Sequence, residues 1–506
     1  MSIIPRAIKL FFSNRIKQIN NIKNNPSKIQ EKTLFYLLKT SSNTFYGKKY
    51  QFNKIKSIKD FQNNIPINYY DDLKPYIEKM IDGEKNILWP GKIKWFAKSS
   101  GTTSDKSKFI PVSNESLKQC HYKAGKDVLL IFLQNVPSSK IFSGKALTLG
   151  GSHKINKRGE TYYGDLSAIL IENLPFWTEI IKAPSKDIAL LENFEEKIDN
   201  ISRTTINENI TYLIGVPSWN LVLIKHILSI TNKNNLLEVW PNLELFIHGG
   251  VSFTPYVSQF KKLIPSTHMK YMETYNASEG FFAIQDNFSS NDMLLMMDYG
   301  IFYEFVPIDK INNPENNIYT INEVQTGINY AMIITTNNGL WRYVIGDTIM
   351  FTSLYPHKIK ITGRIKHYIN VFGEEVMIDN TDKAIEIACK KTNASIIEYT
   401  VAPIFMSEEN NQGCHEWIIE FEKEPEDFEL FKKYLDEALM SLNSDYEAKR
   451  FKNITLKEPI IHKGRKNLFY DWLKFKGKLG GQNKVPRLSN DRKYVEELLY
   501  LNKQKI

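Results

Sequence analysis

The stretch KSSGTTSDKSKFIP, residues 98–111, sets a run of hydroxyl side chains and one glycine between two apolar segments. Before it, Ile93, Trp95 and Ala97 alternate with lysines and Phe96, the period-two pattern of a strand. After it, Phe109 to Val112 is again short and apolar, and Ser113 is placed to cap a long helix through SNESLKQCHYKAGKDVLLIFLQ. The stretch therefore joins two strands. That placement excludes a Walker A loop, which needs GxxxxGK[ST] opening directly into a helix whose first amides hold phosphate. What is left is a hydroxyl-rich hairpin: Ser99, Ser100, Thr102, Thr103 and Ser104 as donors, backbone amides freed by Gly101, and Lys106 and Lys108 as counter-charges. Taken locally, a solvated turn and a phosphate cradle both remain open.

The chain around it has 506 residues, enough for two or three domains with a substantial core. A hydrophobic content of 42% with 12% aromatics is too rich for a disordered chain, yet no apolar run approaches the length of a membrane span. The N-terminal MSIIPRAIKLFFSNRIKQIN is broken by Arg6 and Lys9 and reads as an amphipathic helix rather than a secretory signal. Cys120, Cys389 and Cys414 are far apart with no CxxC pair, which argues against disulfides and zinc and for a cytoplasmic protein. The formal charge of +10 invites a nucleic-acid reading. Lysine, asparagine and isoleucine are over-used along the whole chain, however, and no basic face is interleaved with aromatics, so no nucleic-acid partner is expected.

Helical and strand patterns alternate. EKTLFYLLKTSSNTFYGKKY spaces Leu34, Leu37 and Leu38 as a helix stopping at Gly47. TYLIGVPSWN precedes a helix, LELFIHGGVSF is a strand ending in His248-Gly249-Gly250, and MKYMETYNASEG is a strand ending in a polar turn. Strands alternating with helices and ending in glycine turns indicate an α/β sheet with ligands at the strands' carboxyl ends. From about residue 365 the pattern becomes a small α+β domain: a helix capped by Asp379 or Asn380, strands in SIIEYTVAPIF and EWIIEFEK, a helix opened by Pro425, and a basic tail.

Read in order, KSSGTTSDKSKFIP, YNASEG, WRYVIGD and GRIKHYINVFGEE make the chain resemble the Gretchen Hagen 3 family of acyl acid amido synthetases, a branch of the adenylate-forming enzymes. The resemblance runs from roughly Phe61 to Arg487 and takes in WPNLELFIHGG and GGQNKVPR. It implies an α/β fold, with a large N-terminal adenylate-forming domain of mixed sheets flanked by helices (1–364) and a small mobile C-terminal α+β domain (365–506). The hinge would lie near 363–368, at Lys366.

The resemblance also implies roles. Ser99, Ser100, Thr102, Thr103 and Lys108 would contact the ATP phosphates. Tyr275, Asn276 and Ala277 would line the nucleotide, and Ser278 and Glu279 would lie nearer its phosphates, Glu279 holding Mg2+. Asp347 would accept the ribose hydroxyls, Arg364 would add a second nucleotide contact, and Lys484 would be the catalytic lysine delivered by the small domain. Trp219, Gly249 and Gly250 would border the acyl substrate. The implied reaction is ATP-dependent adenylation of a carboxylic acid and transfer of the acyl group to an amine, an amino acid. An acceptor thiol such as coenzyme A and a scaffold without catalysis are the alternatives.

Each residue also has a structural reading: Glu279 as a helix-start acid, Asp347 as a turn residue after Gly346, Lys484 as one more solvated lysine. His248 at a strand end reads as a core histidine with no proton-transfer role. The implied phosphate loop reads TTSDKSK where plant members have a glycine-richer TSGGERK-like stretch, and YNASEG stands where they have YASSEG. The acyl pocket therefore need not suit plant hormones, and the asparagine-rich composition resembles that of bacterial proteins. The oligomeric state is left open, a monomer being compatible.

Overall fold

The computed structural model describes residues 13–504 except 101–106, 151–154, 176–177, 179, 192, 251–252, 254–255, 312–313, 315–316, 366–367, 375, 407–411, 452–454 and 477–486. It is the mixed α/β architecture expected. The quoted stretch does join two strands: Trp95–Ser100 and Ser107–Val112 pair antiparallel, with Ser99 opposite Lys108. They belong to a four-stranded sheet completed by Thr161–Gly164 and Asn156–Arg158.

The main sheet has eleven strands. Its parallel half comprises Lys182–Ala183, Lys145–Leu149, Ile210–Gly215, Leu245–His248 and Lys270–Ala277. At its centre Leu245–His248 is buried throughout and Ile210–Gly215 over its first four residues, and both read as short, largely apolar runs. Antiparallel pairing takes over through Gly280–Ile284, Met293–Leu295, His357–Arg364, Tyr343–Leu354, Asn329–Thr336 and Ile301–Pro307. A separate three-stranded sheet, Ser395–Ile404, Cys414–Lys423 and Ile460–Gly464, belongs to the C-terminal region. The parallel half and this region share one core, in which Leu147, Leu213 and Trp240 are continuous with Val371, Phe372, Tyr399 and Trp417.

Several element boundaries differ from expectation. The helix bearing Leu34, Leu37 and Leu38 ends at Ser41, and Gly47 sits inside a second short helix, Phe45–Lys49, because the Thr44 side chain caps it by accepting from Gly47 N. The helix expected to be capped by Asp379 or Asn380 already runs from Ile378 to Thr392, so both lie inside it. That expected to open at Pro425 spans Phe428–Leu442, with Asp427 accepting from the amides of Glu429 and Leu430. The basic tail is folded. It supplies Ile460–Gly464 and the helices Leu468–Phe475 and Lys493–Lys503, which bury Leu468, Trp472, Val495 and Leu498 against Ala402 and Ile418. Of the N-terminal amphipathic helix, Ser13–Asn24 is described and buries Ile19 and Ile22; residues 1–12 lie outside the described residues. Among the described residues no helix is long and apolar enough to cross a membrane.

One buried ion pair ties these layers together. Arg342 of the WRYVIGD segment is 2% exposed and Glu304, on the neighbouring side of the sheet, 1%. The guanidinium donates from Nε to Glu304 Oε2 at 2.9 Å and from Nη2 to Oε1 at 3.0 Å, a planar fork matched to a carboxylate. Its Nη1 donates to the carbonyls of Gln62 and Ile65 at 2.7 and 2.6 Å, closing the C-terminal end of the helix Ile58–Asn64 against the sheet. Removing one partner leaves a buried charge, which costs about 3–5 kcal/mol. Arg342→Met is expected to lower the thermal unfolding midpoint by several degrees, and Arg342→Lys to recover only part of the loss, since an ammonium cannot make the fork. Calorimetry or circular dichroism checks both.

Candidate active site

The YNASEG turn is a tight hairpin: Ala277 pairs with Gly280, leaving Ser278 and Glu279 to connect the strands. Three groups hold it. Asn338 donates from Nδ2 to the Glu279 carbonyl at 3.3 Å and accepts from the Ser113 amide at 3.1 Å. Ser113 is the helix cap expected from the sequence, accepting from Ser116 N at 2.9 Å while donating to the Asn337 carbonyl at 2.6 Å. Cys120 accepts from Phe281 N at 3.2 Å. The helical segment that Ser113 caps, the YNASEG turn and the Asn337-Asn338-Gly339 turn are therefore one bracket. Gly339 is required there: its φ is +88°, and a Cβ would stand 2.9 Å from the Leu88 carbonyl carbon.

Glu279 is 6% exposed at the tip of this bracket. Among the described residues no group of three or more histidine, cysteine, aspartate or glutamate side chains is placed to hold a metal ion. A single carboxylate still suits Mg2+, which keeps most of its water and binds through one or two carboxylates plus substrate phosphates.

Asp347 lies at the end of WRYVIGD, 7% exposed. Gly346 before it takes φ +98°, a left-handed value that L side chains rarely adopt, and its carbonyl accepts from Ile365 N at 2.8 Å. This kink coincides with shifts of register on both sides of the strand and sets Asp347 opposite Arg364. Tyr275 donates to Asp347 Oδ2 at 2.5 Å, so the two motifs meet although 72 residues separate them. Phe282 packs against the Tyr275 ring at 4.7 Å.

The stem of the hairpin formed by Trp95–Ser100 and Ser107–Val112 reaches the same strand. Lys108 Nζ is 3.5 Å from the hydroxyl of buried Tyr343 and 5.7 Å from the centre of the Tyr70 ring. The Tyr70 hydroxyl in turn accepts from Phe109 N at 2.8 Å. Ser99 is half-buried on the partner strand, and Ser100 ends that strand. Thr102 and Thr103 lie outside the described residues, as do Lys366 and Lys484. Arg364 is placed by its backbone at the end of the strand His357–Arg364. Three positions beyond Lys484 in the sequence, Arg487 pairs with Asp382 at 2.8 Å, and its carbonyl accepts from Val401 N at 2.8 Å.

Trp219 stands at the junction with the C-terminal region. Its indole Nε1 donates to the Phe372 carbonyl at 3.1 Å, and Lys449 Nζ lies 4.3 Å from its ring centre. The loop it meets is shaped by buried Glu374, which accepts from Val371 N and Phe372 N at 2.6 and 2.7 Å and from His415 Nε2 at 2.9 Å. Gly249 packs so closely on the next strand that a Cβ would stand 2.4 Å from the Thr274 carbonyl oxygen, and Gly250 follows with φ +83°. His248 is 4% exposed, its ring tilted against Phe253 with centres 4.2 Å apart; burial pushes its imidazole down to about 3. It is the core histidine expected.

Sequence reading missed Asn338 and His121. The first was announced by Asn-Asn-Gly, a turn signal whose side chains happen to point inward. The second lies on a π-helical turn, Leu117–His121, inside the capped helix, 5% exposed and beside Asn276.

The chain matches the GH3 family N-terminal domain over residues 15–269, the central domain over 294–364 and the C-terminal domain over 379–493. It belongs to the GH3 family. Curated relatives include an indole-3-acetic acid-amido synthetase of Arabidopsis thaliana, 23% identical, with 93% of this chain and 91% of the relative covered. A 4-substituted benzoates-glutamate ligase of the same plant is 23% identical, with 95% and 96% covered. A jasmonoyl-L-amino acid synthetase of Nicotiana attenuata is 25% identical over 69% and 70%. Among solved structures, the GH3.15 acyl acid amido synthetase aligns with a TM-score of 0.62 at 16% identity, covering 96% of this chain and 95% of that one. A 2-hydroxyisobutyryl-CoA ligase aligns at 0.57 and 12% identity over 95% and 94%. This GH3 member thus shares the fold of both ligases along nearly its whole length.

Acid should unfold this GH3 protein through its buried imidazoles. Burial pushes His121 down from an ordinary 6.5 to about 4, countered only in part by Asn276. The unfolded chain therefore takes up the proton first, and stability present above pH 6.5 is lost as the pH falls from 6.5 to 4. The span corresponds to on the order of 3 kcal/mol. Melting curves across that range are expected to fall steeply, and His121→Gln to flatten the slope by about one proton's worth.

Proposed function

We propose that this chain is an ATP-dependent ligase that adenylates a carboxylic acid and passes the acyl group to the amine of an amino acid. The observation carrying this reading is the meeting of Tyr275 and Asp347 beside a Glu279 turn that Asn338 holds, within a chain of the GH3 family.

The roles follow from chemistry at these positions. A carboxylate is a poor acyl donor, and joining its oxygen to the α-phosphate of ATP makes that oxygen part of a good leaving group. Asp347 accepts the ribose hydroxyls, a task for an acceptor-only side chain. The Tyr275 ring, with Asn276 and Ala277, lines the base, and Arg364 adds a second contact. Ser99, Ser100, Thr102, Thr103 and Lys108 cradle the departing phosphates, with the Lys108 ammonium beside the Tyr343 hydroxyl. Glu279 and Ser278 face those phosphates, and Glu279 would hold Mg2+, which supplies charge neutralisation as pyrophosphate leaves. Lys484 lies against the charge that develops between the attacking carboxylate and the α-phosphate. The acyl chain runs past Gly249 and Gly250, with Trp219 at the far edge. Residues 1–364 and 365–506 form the two domains, and rotation about Lys366 exchanges adenylation for transfer. Free thiols at Cys120, Cys389 and Cys414 accord with a cytoplasmic enzyme. The composition favours a bacterial source.

The test is a pyrophosphate-release screen over aryl, fatty and indolic acids with ATP, each with mixed amino acids or coenzyme A. Acid-dependent release with amide product is expected. Thioester without amide would transfer the reading to a thiol ligase, and no release with any acid would favour a nucleotide-binding scaffold. Lys484→Ala is expected to keep the wild-type melting curve and lose adenylation by roughly a hundredfold or more.

A further inference from the structure

Tyr275 and Asp347 sit on strands that are not neighbours. Gly280–Ile284, Met293–Leu295 and His357–Arg364 lie between theirs in the sheet. Their side chains nevertheless meet, both buried, with the Tyr275 phenol donating to the Asp347 carboxylate. Asp347 follows a left-handed glycine at a break in strand register, so pairing on the strand alone does not fix where its carboxylate points. Tyr275 has a support that Asp347 lacks: Phe282, at the bulge of the paired strand opposite it, packs on its ring at 4.7 Å.

We propose that Tyr275 is a positioning residue whose hydroxyl orients the Asp347 carboxylate for the vicinal hydroxyls of a nucleotide ribose. The inference rests on the ligase reading above and extends it. A carboxylate presents about four acceptor positions, so one donor from Tyr275 orients it without using up its capacity. Under this assignment the phenol oxygen, and not only the ring face, contributes to nucleotide selection. A tyrosine serving the base as an aromatic surface would work equally well as phenylalanine.

That difference is measurable. Initial rates of acid-dependent ATP–pyrophosphate exchange are compared for ATP and for its 2′-deoxy and 3′-deoxy analogues. The wild-type protein is expected to favour ATP by roughly tenfold or more in kcat/KM, as loss of a hydrogen bond to a charged group predicts. Tyr275→Phe is expected to narrow that preference severalfold, and Asp347→Asn to narrow it at least as far. The double variant should show no further narrowing. General destabilisation would slow all three nucleotides alike and leave the ratio untouched. An unchanged ratio in Tyr275→Phe overturns the proposal, as does an unchanged ratio in Asp347→Asn. If wild-type protein shows no exchange with any acid, the ligase reading fails. Calorimetric binding of AMP against its deoxy analogues then tests Tyr275 independently, with the same narrowing expected and an unchanged ratio again fatal. Should Tyr275→Phe not fold, Phe282→Leu, which loosens the ring while keeping the hydroxyl, is expected to narrow the ratio partially; an unchanged ratio there counts against the proposal.

Discussion

A guanidinium with no access to water has to be met on every side, and Arg342 is met by Glu304 and by two carbonyls of the N-terminal helical layer. That requirement fixes three elements at once: the strand Ile301–Pro307, the helix end near Ile65 and the segment leading to Asp347. The pair gains little over an apolar substitute in net stability, because desolvation offsets most of its attraction. Its effect is on register. Slipping the strand by one residue would bury an unpaired charge, so the backbone leading to Gly346 and Asp347 has one acceptable setting.

From that setting the site assembles by contact. The same strand region supplies the Asn337-Asn338-Gly339 turn on its approach side and Asp347 beyond it. The first grips the YNASEG hairpin through Glu279's carbonyl, and the second receives Tyr275 from the hairpin's own strand. Two sequence motifs are thereby locked at two points, one on the backbone and one on side chains. The Trp95–Val112 hairpin joins them through Lys108 and Tyr343 at its stem.

Much of this was legible in the residues. Period-two alternation around Trp95 and Phe109 gave the hairpin, and Ser113 gave the cap. The order of KSSGTTSDKSKFIP, YNASEG and WRYVIGD gave the family and with it the α/β architecture. What escaped reading depended on partners distant in sequence. Arg342 reads as a polar residue in a strand until Glu304 and the Gln62 and Ile65 carbonyls surround it. Asn338 reads as turn filler until the Ser113 amide faces it. The lysine-rich tail reads as solvated because lysine stems bury their carbons while the heads stay wet, and because Trp472 and Val495 find their apolar partners far upstream, at Ala402 and Ile418. The helix expected to begin at Pro425 begins after Asp427 because a side-chain oxygen satisfies two amides that proline cannot.

The folded tail also constrains the order in which the chain can mature. Strand Ile460–Gly464 and the helices that follow it cover the outer edge and face of a sheet whose other strands leave the ribosome earlier. Until that cover arrives, Ala402 and Ile418 present a bare apolar floor and Cys414–Lys423 an open edge, the features that recruit other chains. The main sheet has all its strands by residue 364, and its parallel half then awaits the core it shares with Val371, Phe372, Tyr399 and Trp417. Nascent chains are thus most exposed to self-association in one interval, after the main sheet has closed and before the last hundred or so residues have docked.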